Sequence, residues 1–184
     1  LNGLNNLNSI GGRLEVYSNP SITNLDGLSN LDSVYEIEVS YNNSLTNIDG
    51  LGNITSLDGS LAILGNESLT NLDGLINNTS VGTLLYIRSN ASLTSLNGLS
   101  NITFVGSDLD IDDNVILPNL NGLSSLEYIG RDLRVSNNSI LQNVDGLSNI
   151  TSVGDNLIID TNFGLTNVDG LSNLESVGGE LYVR

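Results

Sequence analysis

The sequence contains no cysteine, methionine, tryptophan, histidine or lysine, and these absences exclude much of enzyme chemistry. Without cysteine there is no disulfide framework. The chain has no histidine or cysteine to act as base or nucleophile, and no lysine amine. Paired carboxylates remain available for glycoside hydrolysis, but the sequence indicates neither a cleft nor an aromatic platform for a sugar. We therefore predict that the protein is not an enzyme and needs no cofactor.

Positive charge and long apolar runs are also scarce. Five arginines stand against 21 acidic residues, and the formal net charge is −16. Such a surface repels nucleic acids and anionic membranes, so neither is predicted as a partner, whereas a basic protein or a divalent cation would fit. No apolar run approaches the length of about 20 residues that spans a bilayer, so we expect no membrane insertion.

A repeated unit of 24 residues organises the whole chain. Its centre is an Asn/Asp-Gly-Leu motif that recurs every 24 residues, with a single interval of 23. A fixed period of this length predicts a solenoid. The glycines of the motif are Gly3, Gly27, Gly50, Gly74, Gly98, Gly122, Gly146 and Gly170.

Each repeat contains a run of apolar residues at a spacing of three, followed by a short alternating segment. The spacing of three fits neither an α-helix nor a long strand, and it predicts short extended or 3₁₀ pieces. The alternating pairs, such as Leu133/Val135, predict one strand in each coil. The predicted fold class is all-β, a leucine-rich β-solenoid of about eight 24-residue coils with a parallel sheet.

Asparagine fills one column directly after the predicted strand. Asparagine at a turn bonds neighbouring backbone groups and tolerates the left-handed conformation, and stacked copies bond one another. We therefore predict an asparagine ladder made of Asn19, Asn42, Asn66, Asn90, Asn114, Asn138 and Asn162.

Two positions break the pattern. Tyr35 replaces a glycine where one repeat is a residue short, and Asn78 stands where a core leucine or isoleucine is expected. We expect a distorted coil at both positions.

The joint pattern of leucine columns, glycine pairs, strand and asparagine turn, as in the unit spanning residues 165–183, resembles leucine-rich repeats of the receptor L-domain type. Such repeats occur in the ligand-binding domains of insulin- and epidermal-growth-factor-type receptors, in fungal cell-wall proteins and in microbial surface proteins. The resemblance covers the whole chain, and it implies a right-handed solenoid, an extracellular or cell-surface location and a binding or structural role.

Several asparagines form the Asn-x-Ser/Thr signal for N-linked glycosylation. Asn42, Asn66 and Asn90 also belong to the predicted ladder, which would make their side chains unavailable. The preferred acceptors of N-linked glycans are Asn53, Asn101 and Asn149, which share one column and are each followed by threonine two residues later.

Acidic side chains gather around one predicted strand. Stacked carboxylates repel one another unless a hard cation lies among them. We favour a solvated acidic face that keeps the array soluble. The alternative is a calcium site formed by Asp108, Asp110, Asp112 and Asp132.

The outward strand positions vary while the core positions stay constant. Variable side chains on a rigid sheet are typical of a protein-binding face, although drift on an unconstrained surface would look the same. The candidate binding residues are Tyr86, Asp110, Arg134 and Tyr182.

The chain begins and ends inside a repeat, so we interpret residues 1–184 as one repeat array of a longer protein, with its caps missing. The leading functional hypothesis is an extracellular structural or adhesive array that associates end to end into a filament or stalk. The alternative is a module that recognises a protein or glycan ligand. A third hypothesis, based on rows such as Thr46, Thr70 and Thr94, is ice binding.

Overall fold

The computed structural model describes the backbone of residues 1–184 and every side chain except that of residue 2. It confirms an all-β parallel solenoid, and no α-helix occurs among the described residues. Eight strands form one parallel sheet, called here the long sheet, in the order β1, β2, β3, β5, β7, β9, β11, β13. Their bounds are Ser9–Tyr17, Ser33–Ser40, Leu61–Leu64, Leu85–Arg88, Leu109–Asp112, Leu133–Ser136, Leu157–Asp160 and Leu181–Val183.

A second, smaller parallel sheet lies one turn earlier in the last five coils, and the sequence did not predict it. Its strands, β4, β6, β8, β10 and β12, are only two residues long because the chain bends again at once. We call it the short sheet. Its strands are Ser80–Val81, Phe104–Val105, Tyr128–Ile129, Ser152–Val153 and Ser176–Val177.

Each Asn/Asp-Gly-Leu motif forms one turn of 3₁₀ helix, as the three-residue spacing predicted. In a typical turn the N–H of Leu99 donates to the carbonyl of Leu96 at 2.8 Å. The turns are Asn2–Leu4, Asp26–Leu28, Asp49–Leu51, Asp73–Leu75, Asn97–Leu99, Asn121–Leu123, Asp145–Leu147 and Asp169–Leu171.

One continuous apolar core runs along the array. The apolar side chains that recur at a spacing of three, together with the inward side chains of the strands, form this core. Buried apolar surface stabilises the fold by about 25 cal/mol per Å², and each coil covers the core of its neighbour. In the fifth coil the core side chains are Leu93, Leu96, Leu99, Ile102, Val105, Leu109 and Ile111, all fully or almost fully buried.

The asparagine ladder is confirmed, and it joins each coil to the next. Asn114 is typical: its Oδ1 accepts the N–H of Asn90 at 3.2 Å, and its Nδ2 donates to the carbonyl of Ile87 at 2.8 Å. The left-handed residue of the turn is not the ladder asparagine but the residue before it. These residues are Ser18, Tyr41, Gly65, Ser89, Asp113, Asn137 and Thr161.

The two irregular positions behave differently. At Tyr35 the missing residue shifts the pairing of β1 with β2 between Ile10 and Arg13, which confirms the predicted distortion. At Asn78 that prediction is wrong, because the backbone keeps its regular turn, with the N–H of Asn78 2.9 Å from the carbonyl of Leu75. The irregularity lies in the side chain, which is fully buried and has no hydrogen-bond partner at either polar atom.

Candidate functional site

The outer face of the long sheet carries the side chains predicted to bind a ligand. Tyr86, Asp110 and Arg134 lie directly beside one another on β5, β7 and β9. Tyr182 lies in the same row but is separated from Arg134 by Ile158. The structure therefore brings three of the four predicted residues together and leaves Tyr182 apart.

Asp110 is the centre of this group. It is only 5% exposed, and its Oδ2 accepts a hydrogen bond from Nη2 of Arg88 at 2.5 Å. Arg134 is more distant, with its Nε 3.9 Å from the same oxygen. Burial raises the pKa of the Asp110 carboxyl above its ordinary value, although Arg88 and Arg134 act in the opposite direction.

Arg88 is the residue of this site that the sequence analysis missed. Its guanidinium lies 4.2 Å from the centre of the Tyr86 ring, where the ring face attracts a cation. Arg88 follows Tyr86 by two residues on the same strand, and side chains at that spacing share one face of a sheet. The two-residue period of the strand was therefore sufficient to predict that Arg88 lies on the same face as Tyr86.

Asp108 and Asp132 form the next row on the same face. Oδ1 of Asp108 accepts the N–H of Asp132 at 3.3 Å, and Oδ1 of Asp132 accepts the N–H of Asn156 at 2.9 Å. Each of these carboxylates therefore accepts a backbone N–H group that lies just before the strand of the following coil. Between the two rows lies a cavity of about 180 Å³. The side chains of Tyr86, Arg88, Asp108, Asp110, Asp132 and Arg134 line it.

The calcium site that was the alternative to a solvated acidic face is not assembled. Oδ1 of Asp112 accepts one hydrogen bond from Oγ of Ser136 at 2.6 Å and another from Nδ2 of Asn137 at 2.8 Å. Oδ2 of Asp110 accepts a hydrogen bond from Arg88, and Oδ1 of Asp108 accepts the backbone N–H of Asp132. No three acidic side chains among the described residues are close enough to share a metal ion. The partners of these carboxylates are arginine side chains and hydrogen-bond donors of the chain, and not a metal ion.

The preferred glycan acceptors lie on an exposed edge between the 3₁₀ turns and the short sheet. Asn53, Asn101 and Asn149 are exposed, and each Nδ2 donates to a carbonyl of the preceding coil at 2.7 Å. Since an amide Nδ2 carries two hydrogens, one remains free. Glycosylation at these positions stays a prediction.

Asn77 belongs to the same column but was not chosen from the sequence. It is exposed, its Nδ2 donates to the carbonyl of Gly52 at 2.8 Å, and Thr79 follows two residues later. The 24-residue spacing from Asn53 was sufficient to identify it. By contrast, the ladder residues Asn42, Asn66 and Asn90 are buried within the turns.

The threonine rows use their hydroxyl groups internally. Oγ1 of Thr94 donates to the carbonyl of Thr70 at 3.1 Å, and Thr46 bonds the coil before it in the same way. Pro118 and Gln142 interrupt the row. This arrangement gives ice binding no specific support.

No protein-family model matches the chain, and a search of curated proteins finds no relative of it. The described residues also include no helix that is long and apolar enough to cross a membrane. The functional argument therefore depends on the geometry of the outer face.

Proposed function

We propose that the protein is an extracellular adhesive array that presents the outer face of the long sheet to a ligand. The observation that carries this proposal is the group of Tyr86, Arg88, Asp110 and Arg134, which interrupts an otherwise regular scaffold with a buried charge pair and an adjoining cavity. Rigid repeats that hold variable side chains on one surface are well suited to recognition. The resemblance to receptor L-domain repeats supports the same role.

A binding role fits this face better than a catalytic one. The acidic side chains are held by arginines and backbone N–H groups, and the cavity has a volume of only about 180 Å³. End-to-end association and a glycan coat on the Asn53 column are further parts of the proposal.

The test is a binding screen of the immobilised chain against panels of glycans and extracellular proteins. A face variant combines Tyr86→Ala, Asp110→Asn and Arg134→Ala. A control variant changes the same residue types elsewhere, as Tyr35→Ala, Asp73→Asn and Arg131→Ala, all at exposed positions. We expect the face variant alone to lose the ligand, while circular dichroism shows both variants to be folded. The face variant should melt at a lower temperature, because Asp110→Asn removes one partner of a buried charge pair. A ligand that binds the two variants equally would contradict the proposal.

A further inference from the structure

Asp110 has one oxygen without any hydrogen-bond partner. Its Oδ2 is bound by Arg88, but its Oδ1 is buried and unsatisfied. A buried carboxylate oxygen without a donor costs free energy. Nε of Arg88 in the same site is also buried without a partner, as are atoms of Asn78 and Asp160. What the Oδ1 of Asp110 lacks is a donor that reaches it.

The charges around the cavity are unequal. Three carboxylates, of Asp108, Asp110 and Asp132, face the guanidinium groups of only Arg88 and Arg134, so one negative charge is left over. The two arginines are also held differently. Arg88 contacts both Asp110 and the Tyr86 ring, whereas the nearest hydrogen bond of Arg134 goes from its Nε to Oγ of Ser136 at 2.8 Å.

We propose that this cavity binds the ammonium or guanidinium group of a basic side chain on a partner protein, which displaces Arg134 from beside Asp110. The proposal rests on the function proposed above, because it specifies the ligand chemistry of the same face. The incoming cation donates to Oδ1 of Asp110 and neutralises the remaining negative charge.

The surroundings favour a cation over other ligands. The side chain of Arg134 is 46% exposed and its Nε lies 3.9 Å from Asp110, so its displacement breaks no close ion pair and costs only the hydrogen bond to Oγ of Ser136. The net charge of −16 attracts basic partners over a longer range. A sugar would satisfy the free oxygen but would leave the excess negative charge in place.

The first experiment follows binding of Nα-acetyl-arginine methylamide and Nα-acetyl-lysine methylamide to the 184-residue chain by NMR. We expect shifts of the amides in β5, β7 and β9 that weaken as salt is added. Asp110→Asn should weaken binding about tenfold, because it removes a charge-assisted hydrogen bond. Asp73→Asn is the matched control, since it removes the same charge in a column where Asn97 and Asn121 occur naturally, and it should leave binding nearly unchanged.

A second pair of variants tests the displacement of Arg134. Arg134→Ala should strengthen binding of the arginine probe, because the competing cation is gone. Arg131→Ala makes the same charge change three residues away, outside the cavity, and should have a clearly smaller effect. Equal effects of the two arginine variants, or weaker binding to Arg134→Ala, would overturn the proposal.

The remaining outcomes separate this inference from the broader function. Shifts at the same amides with methyl glycosides, but none with the cationic probes, would overturn the cation site and retain an adhesive face. No shifts with any probe would also overturn the cation site. The adhesive function itself fails only if the face variant keeps its ligand in the binding screen.

Discussion

At the scale of single residues, two buried asparagines show how the same side chain has opposite consequences in two environments. Asn114 lies in the ladder, where its Oδ1 and Nδ2 are both bonded to neighbouring coils. Asn78 is buried at the column position that Ile54 and Ile102 occupy in the adjacent coils, and neither of its polar atoms has a partner. Burial is complete at both positions, so hydrogen bonding alone distinguishes them.

We predict that leucine has opposite effects at these two positions. Asn78→Leu should raise the free energy of unfolding by about 1–3 kcal/mol, because it replaces an unsatisfied amide with a side chain that fits the column. Asn114→Leu should lower it by about 3 kcal/mol or more, because it leaves the Asn90 N–H and the Ile87 carbonyl without partners. Urea denaturation of the two variants measures both changes. A loss of stability in Asn78→Leu would show that its amide has a partner, such as a buried water.

At the scale of the turn, the glycine of the Asn/Asp-Gly-Leu motif is required by contact between coils in the third to eighth coils, whereas a Cβ at Gly3 in the first coil would meet nothing within 4 Å. A Cβ at Gly50 would lie 1.9 Å from the carbonyl oxygen of Leu25 in the preceding coil. Gly50 is not among the residues with a positive φ. The close approach of two backbones, and not the conformation of the turn, therefore excludes every side chain here.

We predict that two glycines of the same turn differ sharply in their tolerance of alanine. Gly50→Ala should destabilise the chain by more than about 3 kcal/mol, because two coils must move apart. Gly52→Ala should change stability by less than about 1 kcal/mol, since its Cβ would lie 3.2 Å from the carbonyl of Asp49 and other coils carry serine there. Thermal unfolding of both variants checks this. Similar losses would mean that the turn conformation, rather than coil contact, selects glycine.

The repeating features of these elements were predictable from the sequence because each of them occurs in nearly every coil. The leucine columns, the strand of the long sheet and the asparagine ladder were found in this way. The short sheet was missed because a two-residue strand leaves no alternating pattern to detect. The strand period places Arg88 on the outer face, but the register pairs it with Asp112, so its contact with Asp110 is diagonal and was not predictable. The unsatisfied oxygen of Asp110 occurs once and leaves no repeating pattern in the sequence.

At the scale of the whole molecule, the solenoid is close to one-dimensional. Every 3₁₀ turn contacts its neighbours in the same way, and each strand of the long sheet pairs with the strands of adjacent coils. A coil in the middle therefore has two interfaces, whereas a coil at either end of the described chain has one. Stability in such an array is approximately a sum of repeat and nearest-neighbour contributions.

We therefore predict that the same core substitution costs more in the middle than at the end. Leu123→Ala removes a fully buried side chain that packs against two coils, and it should lower the free energy of unfolding by about 2–5 kcal/mol. Leu171→Ala changes the equivalent, partly buried residue of the last 3₁₀ turn and should cost clearly less. Urea denaturation measures the difference, and hydrogen exchange shows whether the last coil opens separately. Equal losses at the two positions would contradict a stack of coils stabilised by their neighbours, because the number of interfaces would then have no effect.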